Sequence, residues 1–181
     1  GLYAYPMVTG DSNGNFHVAM MSYSYGIYYS NFINGNWSSL QNIGSGLFPV
    51  LYIDQNNKIH AAWSGNGVPQ VYRARDGIAS AWSTPENIFS STICYDLSLI
   101  TDRDNLPRLT CAANGFVYET SRQPDSEGWT EAASIAGNDG IAGQPSLAKD
   151  INGNLHLVWS DFRAGNWEIF YANTIVTRAP L

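Results

Sequence analysis

A short phrase that recurs at nearly regular intervals constrains this chain more than any other feature of its sequence. It appears as Asp11-Ser-Asn-Gly-Asn-Phe-His17, Asp54-Gln-Asn-Asn-Lys-Ile-His60 and Asp150-Ile-Asn-Gly-Asn-Leu-His156, with a degenerate copy at Asp102-Arg-Asp-Asn-Leu-Pro-Arg108. The four aspartates are 43, 48 and 48 residues apart (54−11, 102−54, 150−102). Repeats of this length that consist of strand-like segments are typical of β-propeller blades.

Each repeat contains four segments with the character of β-strands. A short apolar run comes first, and the Asp turn follows, where Asn and Gly tolerate positive φ and the Asp side chain can cap the backbone two residues on. An alternating second strand and an aromatic third strand come next, and a fourth strand begins near a recurrent tryptophan. No segment combines helical spacing with helix caps. The pattern predicts an all-β protein, a β-propeller of about four four-stranded antiparallel blades in a single domain, 1–181, with blades at 1–44, 45–92, 93–140 and 141–181.

The last repeat is shorter than the others, because no Gly-x-Trp sequence follows its third strand. An incomplete blade would leave an unpaired strand edge. Gly1–Tyr5 or Thr174–Thr177 could complete the blade, another chain could do so by self-association, or the chain could be part of a larger propeller. Of these alternatives, the sequence slightly favours a single four-bladed ring.

Composition excludes some classes of function. Nine basic against fifteen acidic residues give a net charge of −6, which argues against a nucleic-acid partner. No apolar run approaches 18 residues, so we predict no membrane span. Charged residues make up only 13% of the chain, and the Tyr, Trp, Asn, Ser and Gly that replace them are typical of extracellular, carbohydrate-facing β proteins. The chain starts at Gly rather than Met, which favours a trimmed, exported product.

Two cysteines lie in the third repeat, and two interpretations of them stay open. Cys111 stands where two other repeats have tryptophan, and Cys94 precedes the strand that pairs with it. A disulfide would replace the lost core volume and would imply an oxidising compartment. The alternative is a pair of buried thiols.

The recurrent histidines and aspartates are interpreted as structural. His17, His60 and His156 lie on second strands, too far apart around the axis to share one zinc ion. We expect each to donate to a carboxylate or to the backbone of a neighbouring blade. Most Asp turns offer one carboxylate, and only Asp102 with Asp104 offers two, whereas calcium needs 6–8 oxygens. The sequence therefore predicts no metal site and no cofactor.

Aromatic residues supply the candidate ligand site. Trp167 falls outside the repeat pattern and shares a loop region with Asp161, Arg163 and Asn166, a mixture of ring face, donors and acceptors that suits a saccharide. The tryptophans that recur at one blade position have two interpretations, as plugs between blades or as stacking platforms for sugars: Trp37, Trp82 and Trp129.

No catalytic group can be assigned from the sequence. The repeat alignment predicts that Glu119 and Arg73 occupy the third-strand position that Tyr29 and Tyr171 fill in other repeats. These residues do not form a recognisable carboxylate pair or an activated nucleophile. Nucleophile-elbow, phosphate-loop and His-Glu-x-x-His motifs do not occur in the chain.

The segment from Pro145 to Tyr171 resembles the repeats of sialidase-like (BNR-type) propeller proteins of bacteria and archaea. The resemblance extends over all four repeats but is weaker outside this segment. It implies the propeller fold and a place in a superfamily of sialidases, polysaccharide lyases and lectin-like modules. The sialidase Asp-box, Ser-x-Asp-x-Gly-x-Thr-Trp, is not present, and no arginine triad can be placed.

We therefore predict a non-catalytic module, extracellular or on a bacterial or archaeal cell surface, that binds a polysaccharide, a glycoprotein or a protein surface. One alternative is a fragment of a sialidase-like propeller enzyme, either a polysaccharide lyase or a glycosidase. A structural or assembly module is the other.

Overall fold

A computed structural model describes residues 2–65, 69–89, 94–124, 128–136 and 141–174, which form sixteen β-strands in four antiparallel sheets. Sheet 1 contains β1 (Tyr3–Gly10), β2 (Phe16–Ser22), β3 (Gly26–Ile33), β4 (Asn36–Trp37) and β5 (Gln41–Ser45). Sheet 2 contains β6 (Leu47–Ile53), β7 (Lys58–Ser64), β8 (Gln70–Asp76) and β9 (Glu86–Ile88). Sheet 3 contains β10 (Tyr95–Thr101), β11 (Pro107–Ala113), β12 (Phe116–Ser121) and β13 (Ala133–Ala136), and sheet 4 contains β14 (Ala142–Lys149), β15 (Leu155–Asp161) and β16 (Glu168–Thr174).

Consecutive sheets stack face to face in the manner of propeller blades. The first strands, β1, β6, β10 and β14, contact one another in sequence, so they are the inner strands nearest the axis. Apolar side chains fill the space between neighbouring sheets in three clusters, one for each interface. The predicted all-β propeller is confirmed, and the described residues contain no helix that could cross a membrane.

The described sheets form an open row rather than a four-bladed ring. Sheets 1 and 4 lie at its two ends, and their strands do not pack on each other as those of consecutive sheets do. Tyr3 and Ala4 pair with Ser22 and Met21 in sheet 1, so the start of the chain does not complete sheet 4. Thr174 ends β16, and 175–177, the other predicted completion, lie outside the described residues.

The repeated Asp caps the first hairpin turn of every sheet, as predicted. Asp54 Oδ1 accepts hydrogen bonds from the backbone N–H groups of Asn56 and Lys58, both at 2.9 Å. The same pair of bonds, to the residues two and four positions on, occurs at Asp11, Asp102 and Asp150. One carboxylate oxygen thus fixes the turn and leaves the other for a side-chain partner.

The strand register shows that Arg73, contrary to the prediction, does not occupy the third-strand position of Tyr29. Tyr72, not Arg73, pairs with Ala62 as Tyr29 pairs with Ala19. Because side chains alternate between the two faces of a strand, this one-residue shift places Arg73 on the opposite face, where its guanidinium donates to the carbonyl of Ile43 at 2.8 Å. The tyrosine is therefore repeated in three of the four sheets, and Glu119 is the single exception among them.

A bulge interrupts each inner strand at the same place. The register shifts lie within β1, β6, β10 and β14. Each bulge holds a residue with left-handed backbone: Tyr5 at φ 50°, Phe48 at 50°, Asp96 at 51° and Gln144 at 51°. The rings of Tyr5 and Phe48 meet edge to face with their centroids 4.7 Å apart. The bulges therefore direct one side chain from each sheet to a common level on the axial side, at the end of the sheets away from the Asp turns.

Candidate functional site

A cleft lies at this level, over the inner strands of sheets 3 and 4. Its volume is about 690 Å³. The two bulge residues Asp96 and Gln144 line it, together with Tyr95, Asn114 and Trp167. Small residues of the strand ends form its floor, and the cleft extends over the edge of sheet 4 to Ser160 and Ile169.

Aromatic and planar polar side chains converge in this cleft. Trp167 and Tyr95 are 58% and 50% exposed, so each presents a ring to solvent. Asp96 contributes a carboxylate, and Gln144 and Asn114 contribute amides that can both donate and accept hydrogen bonds. An exposed ring beside such groups can stack on the apolar face of a sugar while the amides and carboxylate bind its hydroxyls.

Four residues of this loop region were predicted to bind a ligand, and of these only Trp167 lines the cleft. Its ring packs against Phe162, with centroids 5.5 Å apart, in the turn between β15 and β16. Asn166 is exposed and donates to the Glu168 carboxylate at 3.3 Å. Asp161 and Arg163 do not line the cleft and instead bond to each other where the turn begins.

Asp161 anchors the turn through an ion pair with Arg163, in which the carboxylate is buried and the guanidinium is partly exposed. Its fully buried carboxylate accepts from the backbone N–H of Arg163 at 2.9 Å, from the Arg163 guanidinium and from the Trp159 indole at 3.4 Å. The Arg163 guanidinium also lies over the Phe170 ring, 4.4 Å from its centroid. The Arg163 hydrogen bond, which outweighs burial, lowers the pKa of Asp161 to about 2.

This lowered pKa predicts a specific loss of stability in acid. The pKa of Asp161 in the folded protein lies below its ordinary value of 3.8, so its contribution to stability is present above that pH and is lost as the pH falls through about 2. Asp161→Asn should therefore make the free energy of unfolding less dependent on pH between about 4 and 2. Urea denaturation at a series of pH values measures this slope.

The matched variant Arg163→Gln keeps the carboxylate but removes its main stabilising partner. It should raise the pKa of Asp161 and move the loss of stability to higher pH. An Asp161→Asn slope equal to that of the unsubstituted protein would contradict the assignment of this acid sensitivity to the ion pair.

The recurrent tryptophans divide between the two predicted interpretations. Trp82 is buried and packs edge to face on Tyr29 of sheet 1, with centroids 5.3 Å apart. Trp129 packs in the same way on Tyr72 of sheet 2, at 5.0 Å. Both fill the space between blades. Trp37, in contrast, is 58% exposed and contacts Phe32 of its own sheet.

The three histidines belong to Asp–His–Tyr networks that repeat in sheets 1, 2 and 4. In sheet 2, His60 Nδ1 lies 2.7 Å from the Tyr72 hydroxyl, and His60 Nε2 lies 3.4 Å from Asp54 Oδ2. Because the carboxylate can only accept, Nε2 carries the proton and the tyrosine donates to Nδ1. The predicted carboxylate partner is present, and the tyrosine partner was missed by sequence reasoning.

Two of these networks, in sheets 1 and 2, are almost fully buried. His17 and Tyr29 form the sheet 1 copy at 2.6 Å, and both are buried. Burial lowers the pKa of His17 and raises the pKa of Tyr29, which keeps the imidazole neutral and the hydroxyl protonated at neutral pH. In sheet 3, Arg108 replaces the histidine and bonds both Asp102, at 3.3 Å, and Glu119, at 2.9 Å.

Sequence reasoning missed most residues that line the cleft. Tyr95, Asp96, Asn114 and Gln144 were not among the predicted site residues. A signal for the bulge position was present, since the residue before the inner-strand proline recurs as Tyr5-Pro6, Phe48-Pro49 and Gln144-Pro145. In the described ranges, no group of three or more His, Cys, Asp or Glu side chains is arranged to hold a metal ion.

Solved structures of glycoside hydrolases and of a polysaccharide lyase have the same fold. No protein-family model matches the sequence, and a search of curated proteins gives no match. The α-L-arabinanase of Penicillium chrysogenum, solved with arabinobiose, superposes with a TM-score of 0.70 at 13% identity, over 95% of this chain and 62% of the arabinanase. The α-L-arabinofuranosidase of Fusarium graminearum gives 0.68 at 14% identity, over 95% and 62% of the two chains.

A polysaccharide lyase has the same fold as well. The ulvan lyase superposes with a TM-score of 0.68 at 12% identity, over 88% of this chain and 47% of the lyase. This chain thus spans less than two thirds of each of these three enzymes. At such low identities the likeness shows the fold, a β-propeller used by enzymes that act on glycans.

Proposed function

We propose that this chain is an extracellular, non-catalytic propeller module that binds a polysaccharide in the cleft over sheets 3 and 4. The observation that carries the proposal is the exposed Trp167 ring beside Asp96, Asn114 and Gln144 in a cleft of about 690 Å³. The fold of glycan-active enzymes supports a glycan as the ligand. The disulfide between Cys94 and Cys111 supports an extracellular location, because disulfides persist in oxidising compartments.

The carboxylate content of the cleft supports binding without catalysis. Glycoside hydrolysis ordinarily uses a pair of carboxyl groups that flank the scissile bond. Asp96 is the one carboxylate that lines the cleft within the described part of the chain. The His17–Tyr29 and His60–Tyr72 pairs are each only 1% exposed, which disfavours their use as acid and base for a bound sugar.

The second candidate is a part of a propeller enzyme, a glycosidase or polysaccharide lyase. Its support is the comparison itself, since the matched enzymes contain more chain than these 181 residues. In such an enzyme, Asp96 would be one member of a catalytic pair whose other member lies in a further blade. The two candidates differ in whether they convert a bound glycan to product, and product release can be measured.

Binding of soluble arabinan, xylan and ulvan, measured by affinity electrophoresis and calorimetry, tests the proposed function. Trp167→Ala should weaken binding of the recognised glycan at least about tenfold, since it removes the stacking surface. Tyr23→Ala is the matched control, because Tyr23 is an exposed aromatic residue outside the cleft and its loss should leave affinity unchanged.

The same mixtures, assayed for released reducing ends and for unsaturated lyase products, separate the two candidates. The non-catalytic module should bind glycan and release no product. Turnover that disappears in Asp96→Asn would establish the enzyme instead. Equal affinity of the Trp167→Ala variant and the unsubstituted chain would refute the cleft as the binding site.

A further inference from the structure

The two ends of the row of sheets expose faces that have no neighbouring sheet in the described part of the chain. The upstream face of sheet 1 is the side turned away from sheet 2. The downstream face of sheet 4 is the side turned away from sheet 3. Paired positions in the strands place Val8, Phe16, Phe32 and Trp37 on the upstream face. The downstream face carries His156, Val158, Ile169 and Tyr171.

Inside the row, a repeated aromatic contact joins the downstream face of one sheet to the upstream face of the next. Tyr29 and Tyr72 each lie under the tryptophan of the following sheet, Trp82 and Trp129. Each indole N–H also donates at 3.2 Å to a side chain on the last strand of the preceding sheet, Gln41 of β5 in one case and Glu86 of β9 in the other. Two interfaces therefore use the same ring contact and the same hydrogen bond.

The third interface lacks this contact. Glu119 takes the place of the tyrosine and pairs with Arg108, and Ala133 stands opposite it, where the acceptors Gln41 and Glu86 stand in sheets 1 and 2. The tyrosine, the acceptor and the tryptophan contact are thus lost together. This joint loss indicates that the three groups work as one unit.

Exposure identifies Trp37 and Tyr171 as the two halves of one such contact. Tyr171 is 57% exposed, whereas its equivalents Tyr29 and Tyr72 are 1% exposed. Trp37 is 58% exposed, whereas its equivalent Trp82 is 8% exposed. Sheet 1 carries one half of the contact and sheet 4 carries the other.

Neighbouring positions on both faces repeat this difference. Ile169 is 75% exposed, although Ile27, Gln70 and Val117, at the same position in the other sheets, are fully buried. Phe16 is 51% exposed, although its counterparts Ile59 and Leu155 are buried. Contiguous apolar faces of this kind on a soluble protein mark interaction sites.

We propose that a second copy of this chain covers these faces, with the upstream face of sheet 1 in one copy packed on the downstream face of sheet 4 in the other. Trp37 of one copy then lies over Tyr171 of the next, as Trp82 lies over Tyr29. A second copy is the occupant we propose, because sheets 1 and 4 present the two complementary halves and the same interface occurs between sheets 1 and 2. The contact is heterologous, so it joins copies head to tail.

The contact would also extend the cleft. Ile169 lies both on the downstream face and in the lining of the cleft. A sheet that covers the downstream face therefore forms a further wall beside Trp167. The proposal rests on the two faces alone and does not depend on the glycan.

Light scattering coupled to gel filtration, from 1 to 100 μM, tests the assembly. The unsubstituted chain should have at least twice the monomer mass of 19.9 kDa. Trp37→Glu destroys the upstream face and Tyr171→Glu destroys the downstream face, so each variant alone should remain a monomer. An equimolar mixture of the two variants should form a one-to-one dimer, because each still carries the face that the other has lost.

Ile151→Glu is the control for placing a glutamate at an exposed apolar position. Ile151 is fully exposed in the Asp150 turn and belongs to neither face, so this variant should assemble like the unsubstituted chain. Phe16→Glu and Ile169→Glu repeat the complementation at separate positions, and circular dichroism verifies that each variant is folded. A folded, unsubstituted chain that stays a monomer at 100 μM, or folded variants whose mixture stays monomeric, would overturn the proposal.

Discussion

Replacing Trp63 by alanine should lower the free energy of unfolding by about 3–5 kcal/mol, the largest loss expected from any single substitution in this chain. The Trp63 side chain is 1% exposed and lies in the core between sheets 1 and 2. Its indole N–H donates to the carbonyl of Ser45 at 2.9 Å. Alanine would leave a large cavity and an unpaired carbonyl, and domains of this size have only about 5–15 kcal/mol of stability to lose.

Two comparisons make this a test of packing rather than of tryptophan loss in general. Trp167→Ala removes an exposed indole and should change the free energy of unfolding by less than about 0.5 kcal/mol. Gly44→Ala should be destabilising without any loss of the indole, because a Cβ there would clash with the Trp63 ring. Gly143→Ala, where the added Cβ meets nothing closer than 3.8 Å, should be tolerated. Equal urea midpoints for Trp63→Ala and Trp167→Ala would contradict the core described here.

The repeat made the blades predictable from sequence because it encodes local chemistry. Each Asp turn contains its own hydrogen-bond acceptor and donors within five residues, as Asp54, Asn56 and Lys58 show. Alternation of apolar residues then assigns the faces of the second strand. Neither inference needs information about distant parts of the chain.

Contacts between blades were harder to predict. Tyr29 and Tyr72 both lie 12 residues after the repeated histidine, so the predicted equivalence of Arg73 with Tyr29 came from an alignment of the third strands that was one residue out of register. The partner of the recurrent tryptophan belongs to the preceding repeat, for example Tyr29 for Trp82, so position within one repeat could not reveal it. Closure depends on the angle between consecutive sheets, which no residue type specifies.

The cleft was missed for a related reason. Asp96 and Gln144 enter it because a bulge turns their side chains toward the axis, and they come from two different repeats. Trp167 was found because it breaks the repeat pattern. A residue that departs from a structural repeat is free of its packing constraint, and this is the sequence signal that succeeded here.

Loss of the bond between Cys94 and Cys111 should cost about 3 kcal/mol of stability. In the structure the two residues are joined by a disulfide, with Cα atoms 5.5 Å apart and a sequence separation of 17. A cross-link over a loop of about this length restricts the unfolded chain enough to contribute about 3 kcal/mol. Both residues are fully buried, and Cys111 occupies the strand position that Trp63 fills in sheet 2.

The double variant Cys94→Ala/Cys111→Ala should therefore unfold at a clearly lower urea concentration than the oxidised protein, with its circular dichroism spectrum unchanged. Reductant should lower the midpoint of the unsubstituted protein toward that of the double variant and leave the double variant unaffected. Thiol titration decides between the bonded and free states directly. The oxidised protein, denatured without reductant, should show no reactive thiol, whereas two reactive thiols per chain would mean that the cysteines are merely buried neighbours and that the core of sheet 3 depends on packing alone.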